Sequence, residues 1–117
     1  GVTALAISVG NVHLKTEKTS GINFDALKAI EEVTTLPLVL HGGSGIPVNV
    51  RKRLARESRV SKFNIGTELR MAFGNALRKS LTDNWDSFDR IRLLAPTVDA
   101  VKSATIEVIR SLNGKQE

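Results

Sequence analysis

A parallel β-sheet covered by helices is the fold this sequence predicts, and three observations predict it. The apolar runs Thr3 to Val9 and Leu36 to Leu40 are continuous rather than alternating in polarity, as strands buried in a parallel sheet are, and Val60 to Ile65 (VSKFNI) is a third, more polar strand candidate. A polar or glycine-containing loop follows each run, and then a segment whose apolar residues recur at helical spacing. The runs are too short for helices or for bilayer spans, which need about twenty apolar residues. Repeated strand, loop and helix leave two architectures open, a doubly wound sheet and a barrel.

The first strand stops at Gly10-Asn11, so Val12-His13-Leu14 sits just past a strand end, and Lys15 to Gly21 is a polar loop. Phe24, Leu27, Ile30 and Val33 then recur every third position, with Asn23 placed to cap the helix, Asp25 in its first turn and Thr34-Thr35 at its end. The second strand feeds His41-Gly42-Gly43-Ser44-Gly45. Pro47 suits the opening of the next helix, where its missing N–H costs nothing, and Arg51 to Glu57 continues that helix. After the third strand, Gly66-Thr67-Glu68 precedes the stripe Leu69, Phe73, Ala76/Leu77 and Leu81. Asp83 to Asp89 reads as a polar linker carrying Trp85 and Phe88. A last helix is expected from Pro96 onward, with Val98, Val101, Thr105, Val108 and Leu112 on one side. Asn113-Gly114 ends it and Lys115 to Glu117 should fray.

Composition excludes several functions. The 117 residues hold no cysteine, which removes disulfide frameworks and thiolate metal sites and fits a reducing cytoplasm. The net charge of +5 raises nucleic-acid binding, but only 4% of residues are aromatic. The densest basic cluster, Arg51, Lys52, Arg53, Arg56, Arg59 and Lys62, lacks interleaved stacking residues and is expected to be a solvated helix surface. The start at Gly1 lacks a basic signal-peptide lead and falls abruptly into strand-like sequence, which predicts a truncated chain.

Reactive loops of parallel folds follow the C-terminal strand ends, and here those loops carry His13, His41 to Gly45 and Asn64 to Thr67. The only two histidines of the chain occupy equivalent positions, and imidazoles leaving neighbouring strands can converge on one metal ion. Two unrelated loop histidines would satisfy the same spacing. The glycines from Gly42 to Gly45, ahead of a helix N-terminus, suit a phosphate, although a tight turn has the same composition. Asn64 and Thr67 stand at the third strand–helix junction, where Thr67 can bond an anion or simply cap the helix.

These residues together resemble a family. Ala4-Leu5-Ala6-Ile7 with Gly10-Asn11-Val12-His13, then Pro37 to Pro47 (PLVLHGGSGIP), then Lys62 to Leu69 (KFNIGTEL) is similar in order and spacing to the class II, metal-dependent fructose/tagatose-bisphosphate aldolases. After Leu81 the likeness rests mainly on Asp89, Pro96 and Lys102. The resemblance implies an α/β fold, the C-terminal part of a (β/α)8 TIM barrel, about strands six to eight with their helices, since such barrels typically need roughly 250 residues. Residues 1–117 would then belong to a single barrel domain whose earlier strands lie outside this sequence.

The implied reaction is reversible cleavage of a ketose 1,6-bisphosphate to dihydroxyacetone phosphate and glyceraldehyde 3-phosphate, with zinc as Lewis acid on the ketose oxygens. By resemblance His13 and His41 bind zinc, Gly42, Gly43, Ser44, Gly66 and Thr67 hold the substrate phosphate, and Asn64 touches the dihydroxyacetone portion. Backbone oxygens of Val12, Leu14, Gly42 and Ser44 would take a monovalent cation. The third zinc histidine and the proton-transferring aspartate come from earlier strands, so this chain alone is expected to be inactive. It also departs from the pattern: Leu14 replaces a glycine, Thr3 an aspartate, and Ser58-Arg59 the glycine before the third strand. The expected partners are a phosphorylated ketose, the remainder of the barrel and further copies of the chain, in the cytoplasm, with no nucleic acid or membrane. A half-barrel that binds phosphosugars or assembles without turnover is the alternative.

Overall fold

A computed structural model describes residues 1–11, 16–17 and 21–113. Strands β1 (Leu5–Ile7), β2 (Leu38–Leu40) and β3 (Val60–Phe63) form a parallel sheet in sequence order. Helix α1 (Phe24–Val33) connects the first pair, and a 3₁₀ turn (Gly43–Gly45) with α2 (Val48–Glu57) connects the second. Helices α3 (Thr67–Asp83) and α4 (Arg90–Asn113) follow as a long hairpin. No helix among the described residues is long and apolar enough to cross a membrane.

The parallel sheet and the helical segments follow the sequence pattern, although each strand is shorter than its apolar run. Leu38, Leu40, Ile7 and Val60 point to one face and are buried with Leu27 of α1 and Leu54 of α2. The opposite face is not covered. Its cross-strand row of Ala6, Val39 and Lys62 is exposed at both ends and only half-buried at Val39. Crossovers joining neighbouring parallel strands in sequence order share one hand, so they deposit their helices on one side. A bulge sets the last strand's aim. Val60 pairs with Leu38 but Lys62 pairs with Val39, leaving Ser61 as the extra residue. Phe63 thereby falls level with Leu40, and the chain leaves β3 with Asn64 N–H bonded to the Leu40 carbonyl at 2.9 Å.

Helix α1 begins where its sequence indicates. Asn23 Oδ1 accepts the Ala26 N–H at 2.9 Å, and Thr34 ends the helix in extended conformation. The last helix corrects the sequence reading, because α4 starts at Arg90 with Pro96 inside it. Asp89 explains the early start: its carboxylate accepts the N–H of Ile91 at 2.9 Å and of Arg92 at 3.4 Å, capping the first turn. Proline then removes one interior hydrogen bond from a 24-residue helix that packs along α3 and α2.

The basic cluster also differs from a uniformly solvated surface. Arg51 is fully buried, and its guanidinium grips Glu68 of α3 through two bonds of 2.9 and 3.2 Å. Arg53 stacks over the Phe24 ring at 4.1 Å while pairing with Glu57. Arg59 donates to the carbonyls of Glu31 and Thr34, covering the C-terminal end of α1. Three of these cations are therefore committed to holding helices in place.

Candidate functional site

The loop after β2 and the N-terminus of α3 meet at the end of the sheet, and Ser44 joins them. Its buried Oγ accepts the backbone N–H of Gly66 at 3.2 Å and of Glu68 at 3.1 Å. Both lone pairs are thereby occupied, which leaves the hydroxyl proton to be donated elsewhere. Thr67 was a possible cap in the sequence, but Gly66 takes that position and Thr67 is the first helical residue. The capping oxygen comes from a loop 22 residues earlier. Backbone donors of Thr67 and Leu69 in the same turn have no acceptor among the described residues, so the partial positive end of a 17-residue helix faces the cleft.

Gly42 and Gly43 are required by the loop for different reasons. Gly42 lies at φ 64°, a left-handed conformation that side chains disfavour. Gly43 donates to the Asn64 carbonyl at 3.0 Å, and a Cβ on it would lie 2.6 Å from Ile65 Cδ1 and 3.2 Å from that carbonyl. Gly43→Ala is expected to cost about 1–3 kcal/mol, the range for overpacking a tight contact. Ile65→Val removes the clashing methyl and should recover part of the loss in the double variant. A denaturation double-mutant cycle measures that coupling.

Asn64 and His41 form the adjoining part of the rim. The Asn64 amide nitrogen lies 3.1 Å from His41 Nδ1 and 3.4 Å from Nε2. Asn11, at the end of β1, bridges the two strand ends: its amide donates to the His41 carbonyl at 2.9 Å while its oxygen accepts the Val9 N–H at 2.8 Å. Asn11 thus positions the backbone of His41, a role the sequence did not reveal because the partner lies 30 residues away.

The resulting cleft has a volume of about 460 Å³ and is lined by Gly42, Ser44, Phe63, Asn64, Ile65, Gly66, Thr67 and Arg70. Arg70 went unread in the sequence. It stands three residues after Thr67 on α3, the helical spacing that returns a side chain to the same face, and brings the cleft a permanent positive charge. A small oxyanion would meet hydroxyl and backbone donors together with a guanidinium there.

Of the residues predicted for the site, His41, Gly42, Gly43, Ser44, Asn64, Gly66 and Thr67 come together at this rim. His13, Val12 and Leu14 lie outside the described residues. No group of three His, Cys, Asp or Glu side chains that could hold a metal ion occurs among the described residues. The donor chemistry of His41 fits a zinc ligand, but it is a single donor, and a stable site needs others. Of the proposed cation ligands, the Gly42 carbonyl accepts the Gly45 N–H at 3.0 Å and so has one lone pair already engaged.

Comparison with known proteins places this arrangement in a family. The family model described as fructose-bisphosphate aldolase class-II matches residues 1–117. Fructose-bisphosphate aldolase of Mycoplasma pneumoniae is 38% identical over 112 residues, which cover 89% of this chain and 38% of that protein. The 6-phospho-5-dehydro-2-deoxy-D-gluconate aldolase of Bacillus licheniformis is 36% identical over 112 residues, covering 94% of this chain and 37% of that protein. The X-ray structure of the YdjI aldolase from Escherichia coli K12 superposes with a TM-score of 0.66 at 30% identity, over 98% of this chain and 41% of that one. The chain therefore spans about two fifths of the length of the relatives it matches.

Proposed function

This chain belongs to the class II fructose-bisphosphate aldolase family, and from that premise we propose that it supplies the phosphate-binding and part of the metal-binding rim of a ketose-bisphosphate aldolase. The observation that carries the reading is Ser44, which locks the glycine loop onto the N-terminus of α3 and directs unused donors into one cleft. A one-sided sheet in strict strand order favours an arc of a (β/α)8 barrel over a doubly wound sheet, whose two faces are both covered. The bare row of Ala6, Val39 and Lys62 would then face the barrel interior. On this reading residues 1–117 are the C-terminal part of one barrel domain, about strands six to eight, and the remainder of the barrel is the required partner.

In the reaction proposed, the phosphate of a phosphorylated ketose is held by the N–H groups of Thr67 and Leu69 and the hydroxyls of Ser44 and Thr67, with Gly42, Gly43 and Gly66 letting it approach the backbone. Arg70 adds charge from the side of the cleft. These contacts are remote from the breaking carbon–carbon bond and position it. Asn64 holds the dihydroxyacetone end of the substrate and, through its bond to His41, fixes the imidazole. His13 and His41 are assigned to zinc, which when bound supplies Lewis-acid polarisation of the ketose oxygens. The carbonyls of Val12, Leu14, Gly42 and Ser44 are assigned to a monovalent cation.

Titration of this chain with dihydroxyacetone phosphate, followed by amide chemical shifts, tests the phosphate assignment. Gly43, Ser44, Gly66 and Thr67 are expected to shift together, and Ser44→Ala should abolish the response while costing about 1 kcal/mol from the lost cap. A titration that moves none of these amides in the folded chain overturns the assignment.

A further inference from the structure

We infer that Arg51 is a positioning residue for the proposed phosphate cleft: it holds the Glu68 carboxylate neutralised and turned away, so that this carboxylate neither repels a bound dianion nor competes with it. The inference rests on the phosphate reading and adds to it a residue that does not touch the ligand. Glu68 is the second residue of α3, and the backbone donors of Thr67 and Leu69 lie on either side of it in the chain. A carboxylate in a first helical turn has a ready alternative to an ion pair. It is attracted to the positive end of the helix and can fold back onto free N–H groups there, as the acidic residue of a capping box does. In that position it would take the donors that a phosphate needs and set a like charge beside it.

The geometry prevents this. Guanidinium bonds of 2.9 and 3.2 Å engage both carboxylate oxygens of Glu68, while Ser44 Oγ accepts its N–H at 3.1 Å. The side chain is thereby directed into a separate cavity of about 200 Å³, which it lines with Val48 and Arg51 of α2 and with Glu107 and Ser111 of α4. Thr67 and Arg70, its neighbours on α3, line the phosphate cleft instead. One residue of the first turn is thus tied at its backbone to the glycine loop and at its carboxylate to the helix that follows that loop.

An arginine suits this task. With no exposed side-chain surface it is fixed by packing, it stays charged, and its planar fork matches a carboxylate. Stability alone does not call for it, because an apolar side chain of similar volume fills such a position at little cost. What only the guanidinium supplies is control of the charge on Glu68. Glu107 brings a second carboxylate to the same cavity, so without Arg51 two like charges would remain there and drive the Glu68 side chain outward. A carboxylate about one helical turn from a phosphate dianion weakens its binding roughly 10-fold under water-like screening.

Titration of the folded chain with inorganic phosphate, followed by the amide shifts of Thr67 and Leu69, tests it. Arg51→Met is expected to bind phosphate about 10-fold more weakly than the wild type. Arg51→Gln removes the same charge and should behave alike. Adding Glu68→Gln to either variant should restore the wild-type affinity, because the change at position 51 persists while the carboxylate is gone. A loss caused by disturbed packing would not be rescued in this way. Arg51 variants that bind phosphate as tightly as the wild type overturn the inference, and so do double variants that stay as weak as the single ones. A wild-type chain that binds no phosphate overturns the phosphate reading itself, and this inference with it.

Discussion

Replacing Glu68 with alanine is expected to destabilise the chain by about 3–5 kcal/mol, the cost of stranding one member of a buried ion pair. The choice of partner decides the size of the effect. Arg51 has no exposed side-chain surface and cannot lose its proton, whereas Glu68 retains 23% exposure and can be hydrated. Removing Glu68 therefore leaves an uncompensated buried cation. Its Nε is already without a hydrogen-bond partner among the described residues. Arg51→Met instead fills much of the same volume and leaves a carboxylate within reach of water, so its cost should be no more than about 1–2 kcal/mol. Thermal unfolding distinguishes the two, since the larger loss lowers the melting temperature by roughly 10–20 °C in a domain of this size. The ion pair also bears on the site, because the backbone of Glu68 is one of the two donors held by Ser44.

The second large effect is expected at His41 in the assembled barrel. His41→Ala removes a proposed zinc ligand outright. Asn64→Ala removes the amide that orients His41, a class of contact whose loss typically lowers metal affinity or activity by about 10–100-fold. The His41 variant should therefore lose more than about 100-fold in zinc affinity, and zinc-dependent cleavage with it. Titration of zinc against a competing chelator, alongside turnover, checks the order. Equal zinc affinity in wild type and His41→Ala would remove this histidine from the metal site.

The parts of this fold that were legible in the sequence are those fixed by local chemistry. Asn23 precedes a helical stripe and caps it, and the alternation of apolar runs with helices determined the parallel sheet. The grouping of His41 to Ser44 with Asn64 to Thr67 followed from the rule that loops after parallel strands share one end. Features that depend on distant partners were not legible. Arg51 looked like one more surface cation because Glu68 lies 17 residues away on another helix. Ser44 looked like a loop residue, although its oxygen caps a helix that begins more than twenty residues later. The start of α4 is obscured for a local reason: Pro96 is as strong a helix-opening signal as the capping carboxylate of Asp89 seven residues earlier.

The most direct test of the central claim joins this chain to the earlier strands of the barrel and measures triose phosphate release from fructose 1,6-bisphosphate, with zinc and after chelation. The account predicts zinc-dependent cleavage that neither part shows alone and that Ser44→Ala impairs. A folded, zinc-loaded barrel that binds the phosphosugar without cleaving it would contradict the aldolase assignment and leave this rim as a phosphosugar-binding surface.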